Sequence, residues 1–159
     1  MEIFHNIPLW VALFSIFFAQ FVKIPIHYLM TRKLDWSLFT STGGMPSSHS
    51  AAVTSLTTAI GFEHGTGSSI FALSVIFSVI VMFDASGIRF QAGQQAVVIN
   101  QMREDFRSFI QTTIDWQKKD GQQKIEELKT LLGHKPSEVY AGALTGILIS
   151  IVLYTLILG

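Results

Sequence analysis

The chain has 159 residues, 49% of them hydrophobic and only 14% charged, with no cysteine. That length allows one domain, and the missing thiols exclude a disulfide framework and any thiolate-held metal. Eleven basic residues balance eleven acidic ones, so no global positive field argues for a nucleic-acid partner, and none is expected.

Residues 7–22, IPLWVALFSIFFAQFV, form the first apolar run; Lys23 and His27 follow while apolar residues continue to Met30. No basic segment precedes the run and no small-residue cleavage pattern follows it, so it reads as a spanning helix over about 7–30 rather than a leader. Residues 46–62 are apolar but rich in Ser, Thr and Ala, a composition suited to packing against other helices rather than lipid. Residues 67–83, GSSIFALSVIFSVIVMF, and 139–158, VYAGALTGILISIVLYTLIL, carry no charge and are near the roughly 17–25 residues that span a bilayer. Gly142 and Gly146 make a G-x-x-x-G pair on the last helix, expected over 137–158, which permits close packing within or between chains, so an oligomer is possible.

Residues 84–133 form a polar insert. QQAVVINQMREDFRSFIQ has apolar residues at helical spacing, and WQKKDGQQKIEELKTLLGH reads as a second helix ended by Gly133, with Gly121 marking a break between them. The insert is either a helical hairpin serving packing and solubility or a lid or partner-binding element. The fold class expected is all-α: a polytopic membrane protein, one domain over 1–159, with about four spanning helices and a cytoplasmic helical insert.

Basic residues orient it. Lys23, Arg32 and Lys33 lie at the end of the first helix or just after it. Arg89, Arg103, Arg107, Lys118, Lys119, Lys124, Lys129 and Lys135 lie between the third and fourth helices. With four spans these segments share one side, which the positive-inside rule makes cytoplasmic, leaving both termini outside.

Ionisable residues at membrane depth are functional candidates. Lys23, His27, His49, Asp84, Arg89, His134 and Glu138 all fall near the cytoplasmic helix ends, so four helices bring them to one depth. His27 and Lys33 face headgroups, His64 is a loop residue and His5 a terminal one. Two helix starts, GGMPSSHS and LGHKPSEV, both run from glycine to Pro-Ser. Proline suits the first turn, Ser47 or Ser48 can cap, and a helix N-terminus can hold phosphate. Local chemistry leaves plain capping and catalysis both open for the His49 stretch. It leaves an exposed polar pair open for His134 and Glu138, and either ion pairing or histidine orientation open for Asp84.

Three blocks in order, GGMPSSHSAAVTSL, DASGIRFQAG and GHKPSEVYAGALTG, resemble the divergent branch of the type 2 phosphatidic acid phosphatases, related to acid phosphatases and vanadium haloperoxidases. The resemblance covers nearly the whole chain. Against the superfamily motifs K-x6-R-P, P-S-G-H and S-R-x5-H-x3-D, the second is kept as Pro46, Ser47 and His49, with Ser48 replacing glycine. The first is reduced to Lys23, and the third is split. Ser86 and Arg89 precede the insert, whereas His134 and Glu138 keep the H-x3-acid spacing after it.

The resemblance implies a phosphatase that needs neither metal nor other cofactor. His134 would attack phosphorus, Glu138 would fix its ring, and His49 would protonate the leaving group and activate water; the two histidine roles can be exchanged. Arg89, Lys23, Gly44, Ser47 and Ser48 would hold phosphate oxygens. A cytoplasmic site at headgroup level suits a membrane phospholipid, phosphatidylglycerophosphate first, with phosphatidic acid next. Undecaprenyl diphosphate arises on the outer face and fits this orientation less well. The competing class is a lipid-binding or scaffold membrane protein that kept the fold and lost the chemistry.

Overall fold

The computed structural model describes residues 2–41, 43–113 and 133–158. Every regular element among them is helical. Five α-helices, α1 Ile7–Thr31, α2 Ser48–His64, α3 Ser69–Ser86, α4 Ile88–Thr113 and α5 Pro136–Leu158, are joined by 3-10 turns at Glu2–His5 and Trp36–Thr40. The second helix expected in the insert, with Gly121, lies outside the described residues.

α1 starts because Asn6 caps it, its side-chain oxygen accepting the Leu9 N–H at 3.0 Å. It runs through Pro25 and stops at Arg32, whose left-handed backbone (φ 58°) turns its N–H back to the Tyr28 carbonyl at 2.8 Å. Lys23 therefore sits about two turns inside the helix rather than at its end. Val11, Ser15, Ala19 and Lys23 are buried at four-residue spacing, one stripe of a helix. Phe14, Phe17, Phe18 and Phe21 are exposed. Such an apolar exterior is untenable in water over a large area and is the surface a bilayer covers.

α2 is the inner helix, packed on α1, α3 and α5. Its small side chains allow that, and its hydroxyls bond across the contacts. Thr54 donates to the Ala143 carbonyl of α5 at 3.0 Å, and Thr57 to the Ser74 carbonyl of α3 at 3.1 Å. Ser78 of α3 returns a bond to the Val53 carbonyl at 3.0 Å. Gly142 and Gly146 of α5 face α2 so closely that a Cβ would strike the Ser47 and Ala51 carbonyl oxygens. The G-x-x-x-G pair is thus used inside the chain.

α1, the α3–α4 stretch and α5 are the three helices long and apolar enough to cross a membrane. α2, at 17 residues, is shorter and less apolar. α3 continues past the expected end at 83 to Ser86, so Asp84 lies on its last turn, and α4 follows after a break at Gly87. At the far end of the bundle Tyr154 is buried, stacks on Phe62 at 5.0 Å and donates to Glu63 at 2.8 Å, tying α5 to α2.

Candidate functional site

The two glycine-to-Pro-Ser starts lie side by side. α2 begins after Pro46, with the Ser47 hydroxyl oxygen accepting the Ser50 N–H at 3.3 Å. Ser47 is therefore the cap, and its own N–H donates to the Glu138 carbonyl at 2.9 Å, locking the two helix starts together. α5 begins at Pro136 and is capped from within. The Glu138 carboxylate reaches back to the Lys135 N–H at 3.2 Å, which satisfies one of the first-turn donors.

The same Glu138 oxygen takes His134 Nδ1 at 3.2 Å. His134 is 1% exposed, and its Nε2 is buried without a hydrogen-bond partner. Its backbone N–H donates to the Ala85 carbonyl at the end of α3, at 2.9 Å. The carboxylate makes Nδ1 the protonated nitrogen and leaves the Nε2 lone pair free. Edge-on to this ring, with centroids 5.6 Å apart, stands His49 on the first turn of α2, with Nδ1 also buried and unpartnered.

Positive charge surrounds the pair. Lys23 is 2% exposed and donates from Nζ to the Ser41 carbonyl at 3.2 Å, close enough to Glu138 for their charges to interact. Gly44, with φ 90°, arches over the lysine stem; its Cβ position is 3.8 Å from Lys23 Cδ. Arg89 Nε donates to the Asp84 carboxylate at 2.6 Å, so Asp84 is an ion-pair partner of Arg89 and not of a histidine. That single contact leaves the terminal guanidinium nitrogens available for a planar acceptor. The charges of His134, Arg89, Lys23 and Asp84 all act on His49. Ser48, on the first turn of α2, is buried beside it in sequence.

All nine residues singled out in the sequence for this site thus gather where α2 and α5 start and α3 ends. His27, His64 and His5 do not join them. His27 Nδ1 lies 3.3 Å from the Lys33 carbonyl in the loop after α1. His64 neighbours Glu63 at the opposite end of α2, and His5 lies in the N-terminal turn. Sequence reasoning missed three backbone participants: the Ser41 carbonyl on Lys23, the Ala85 carbonyl on His134, and Gly133 at the return from the insert. Carbonyls carry no residue signature, so only Gly133 had one, and it reads equally as a helix stop.

A helical membrane protein with a carboxylate-held histidine, a second histidine and two cations at one end of its bundle belongs to a recognisable class of membrane proteins built for phosphoryl groups. The chain is a member of the Divergent PAP2 family, which it matches over residues 4–149. It is also 56% identical over 153 residues to the Uncharacterized membrane protein YuiD of Bacillus subtilis (strain 168), covering 96% of this chain and 97% of that one. No solved structure matches.

Proposed function

We propose that the chain is a membrane lipid phosphate phosphatase working through a phosphohistidine at His134. The observation that carries this is the His134 ring itself: Nδ1 on the Glu138 carboxylate, Nε2 buried and free, His49 packed against its edge. A surface polar pair would have no reason to present an unbonded nitrogen in a buried position.

In this reading His134 Nε2 attacks phosphorus and the P–O bond to the lipid alcohol breaks. His49, protonated, gives its proton to the departing alkoxide. Neutral His49 then takes a proton from water, whose oxygen attacks the phosphohistidine; the P–N bond breaks and inorganic phosphate leaves. Glu138 stabilises the imidazolium formed on attack. Lys23, Arg89, Ser48 and the first-turn N–H groups of α2, reached over the Gly44–Ser47 loop, stabilise the equatorial oxygens. Because these groups supply the positive charge, phosphate release is expected to persist in EDTA.

The basic segments support a cytoplasmic site, with α2 as the inner fourth span and both termini outside. That side suits an inner-leaflet lipid, and phosphatidylglycerophosphate, whose terminal phosphomonoester yields phosphatidylglycerol, is the preferred substrate. Purified protein would be offered phosphatidylglycerophosphate, phosphatidic acid and undecaprenyl diphosphate, and free phosphate measured. Release from the first, abolished in His134→Ala and in His49→Ala, is the expected result. No release from any of them would favour the scaffold reading, and full activity in either variant would remove that histidine from the mechanism.

A further inference from the structure

The site is split in sequence: Asp84 and Arg89 precede the insert, His134 and Glu138 follow it. What rejoins the halves is a backbone crossing at Gly133. This residue has φ 79°, and a Cβ there would fall on the Phe90 backbone nitrogen and the Arg89 carbonyl carbon. Two separate demands meet at this one position. The left-handed backbone favours glycine but is open to asparagine. The close approach is open to glycine alone, because the atoms it meets are backbone and cannot rotate away.

One residue later the chain is clamped a second time. α3 ends at Ser86, so the Ala85 carbonyl belongs to a last turn whose carbonyls lack helical donors. The His134 N–H fills it at 2.9 Å. Gly133 thus rests on the first turn of α4, beside Arg89, while His134 hangs from the last turn of α3, beside Asp84. Moving Gly133 outward by the radius of a methyl group would carry His134 away from the Ala85 carbonyl while leaving the Arg89–Asp84 pair untouched.

We propose that Gly133 is the positioning residue that assembles the two halves of the site, through its close approach to the Arg89–Phe90 backbone rather than through its left-handed φ. The catalytic consequence rests on the phosphatase reading; the structural one does not.

The test compares Gly133→Ala with Gly133→Asn in the full-length protein, by amide hydrogen exchange and by kinetics on phosphatidylglycerophosphate. Asparagine accepts the backbone conformation but not the contact, so both variants should behave alike. The His134 amide should exchange roughly tenfold faster or more in each, with protection along α2 and the inner half of α5 retained. The kcat should fall roughly tenfold to a hundredfold, as a displacement near 1 Å at a reacting group costs, while KM, set by the intact Arg89 half, stays near wild type. Wild-type exchange at His134 in either variant would overturn the proposal, as would rescue by asparagine, which would leave φ as the only requirement. Loss of protection throughout α2 and α5 would also overturn it, since Gly133 would then hold up the fold rather than the site. If wild-type protein releases no phosphate from any lipid, the phosphatase reading falls, and the exchange measurement still decides the role of Gly133.

Discussion

Replacing Glu138 by glutamine keeps the side chain's length and its ability to accept the Lys135 N–H, so the α5 cap survives. What disappears is the charge facing His134 Nδ1 at 3.2 Å. The account expects kcat to fall about 10²- to 10⁴-fold with little change in KM, the behaviour of a group that stabilises an imidazolium only in the transition state. Steady-state kinetics on the purified variant checks this. Asp84 acts at one remove, through the Arg89 guanidinium. Its contact is half exposed, with the arginine side chain at 53%, so it contributes little to stability. Asp84→Asn should raise KM for the lipid phosphate about fivefold, the effect of losing roughly 1 kcal/mol of orientation, and should affect kcat less than Glu138→Gln does. These residue types were legible in the sequence because ionisable groups flanking apolar runs stand out. Their pairings were not: Asp84 with Arg89 and Lys23 with the Ser41 carbonyl depend on where α3 ends and how the 41–47 loop folds.

Among the helices, α2 shows most directly how composition becomes architecture. A helix this rich in Ser, Thr and Ala buries little apolar area, so its stability comes from close backbone approach and hydroxyl bonds to α3 and α5. Gly146→Leu would drive a side chain into the Ala51 carbonyl. It should destabilise the bundle by about 1–3 kcal/mol or more, read as a lowered thermal midpoint in detergent. Thr54→Val removes the bond to Ala143 and should cost only about 0.6 kcal/mol. A Gly146→Leu protein as stable as wild type would contradict this picture of the α2–α5 contact. The apolar runs of α1, α3 and α5 were plain in the sequence, since continuous hydrophobicity of that length has few other meanings. The elements harder to read were those set by polar or local chemistry. Pro25 does not end α1, Gly87 rather than Asp84 ends α3, and the start of α2 shifts to Ser48 because Ser47 serves as the cap.

At the scale of the molecule, the bundle is polarised. One end holds Lys23, His49, Asp84, Arg89, His134 and Glu138; the other is closed by Tyr154, Phe62 and Glu63. The convergence of the first set was legible because all six flank helix ends on the side that carries the basic loops. The backbone crossing at Gly133 was not, because a contact across more than forty residues of insert leaves no periodic trace. The orientation proposed for the bundle places the C-terminus outside. A reporter fused after Gly159 should be active only when its enzyme works on the non-cytoplasmic side; activity of a cytoplasmic-only reporter would reverse the site's side and with it the case for an inner-leaflet lipid.

The central claim is covalent: phosphorus passes through His134. Protein incubated with phosphatidylglycerophosphate radiolabelled in its terminal phosphate, then quenched in alkali, should retain an acid-labile, base-stable label on the peptide containing His134. The label should be absent from His134→Ala. Rapid turnover with no trapped label, or a label on His49, would contradict the account.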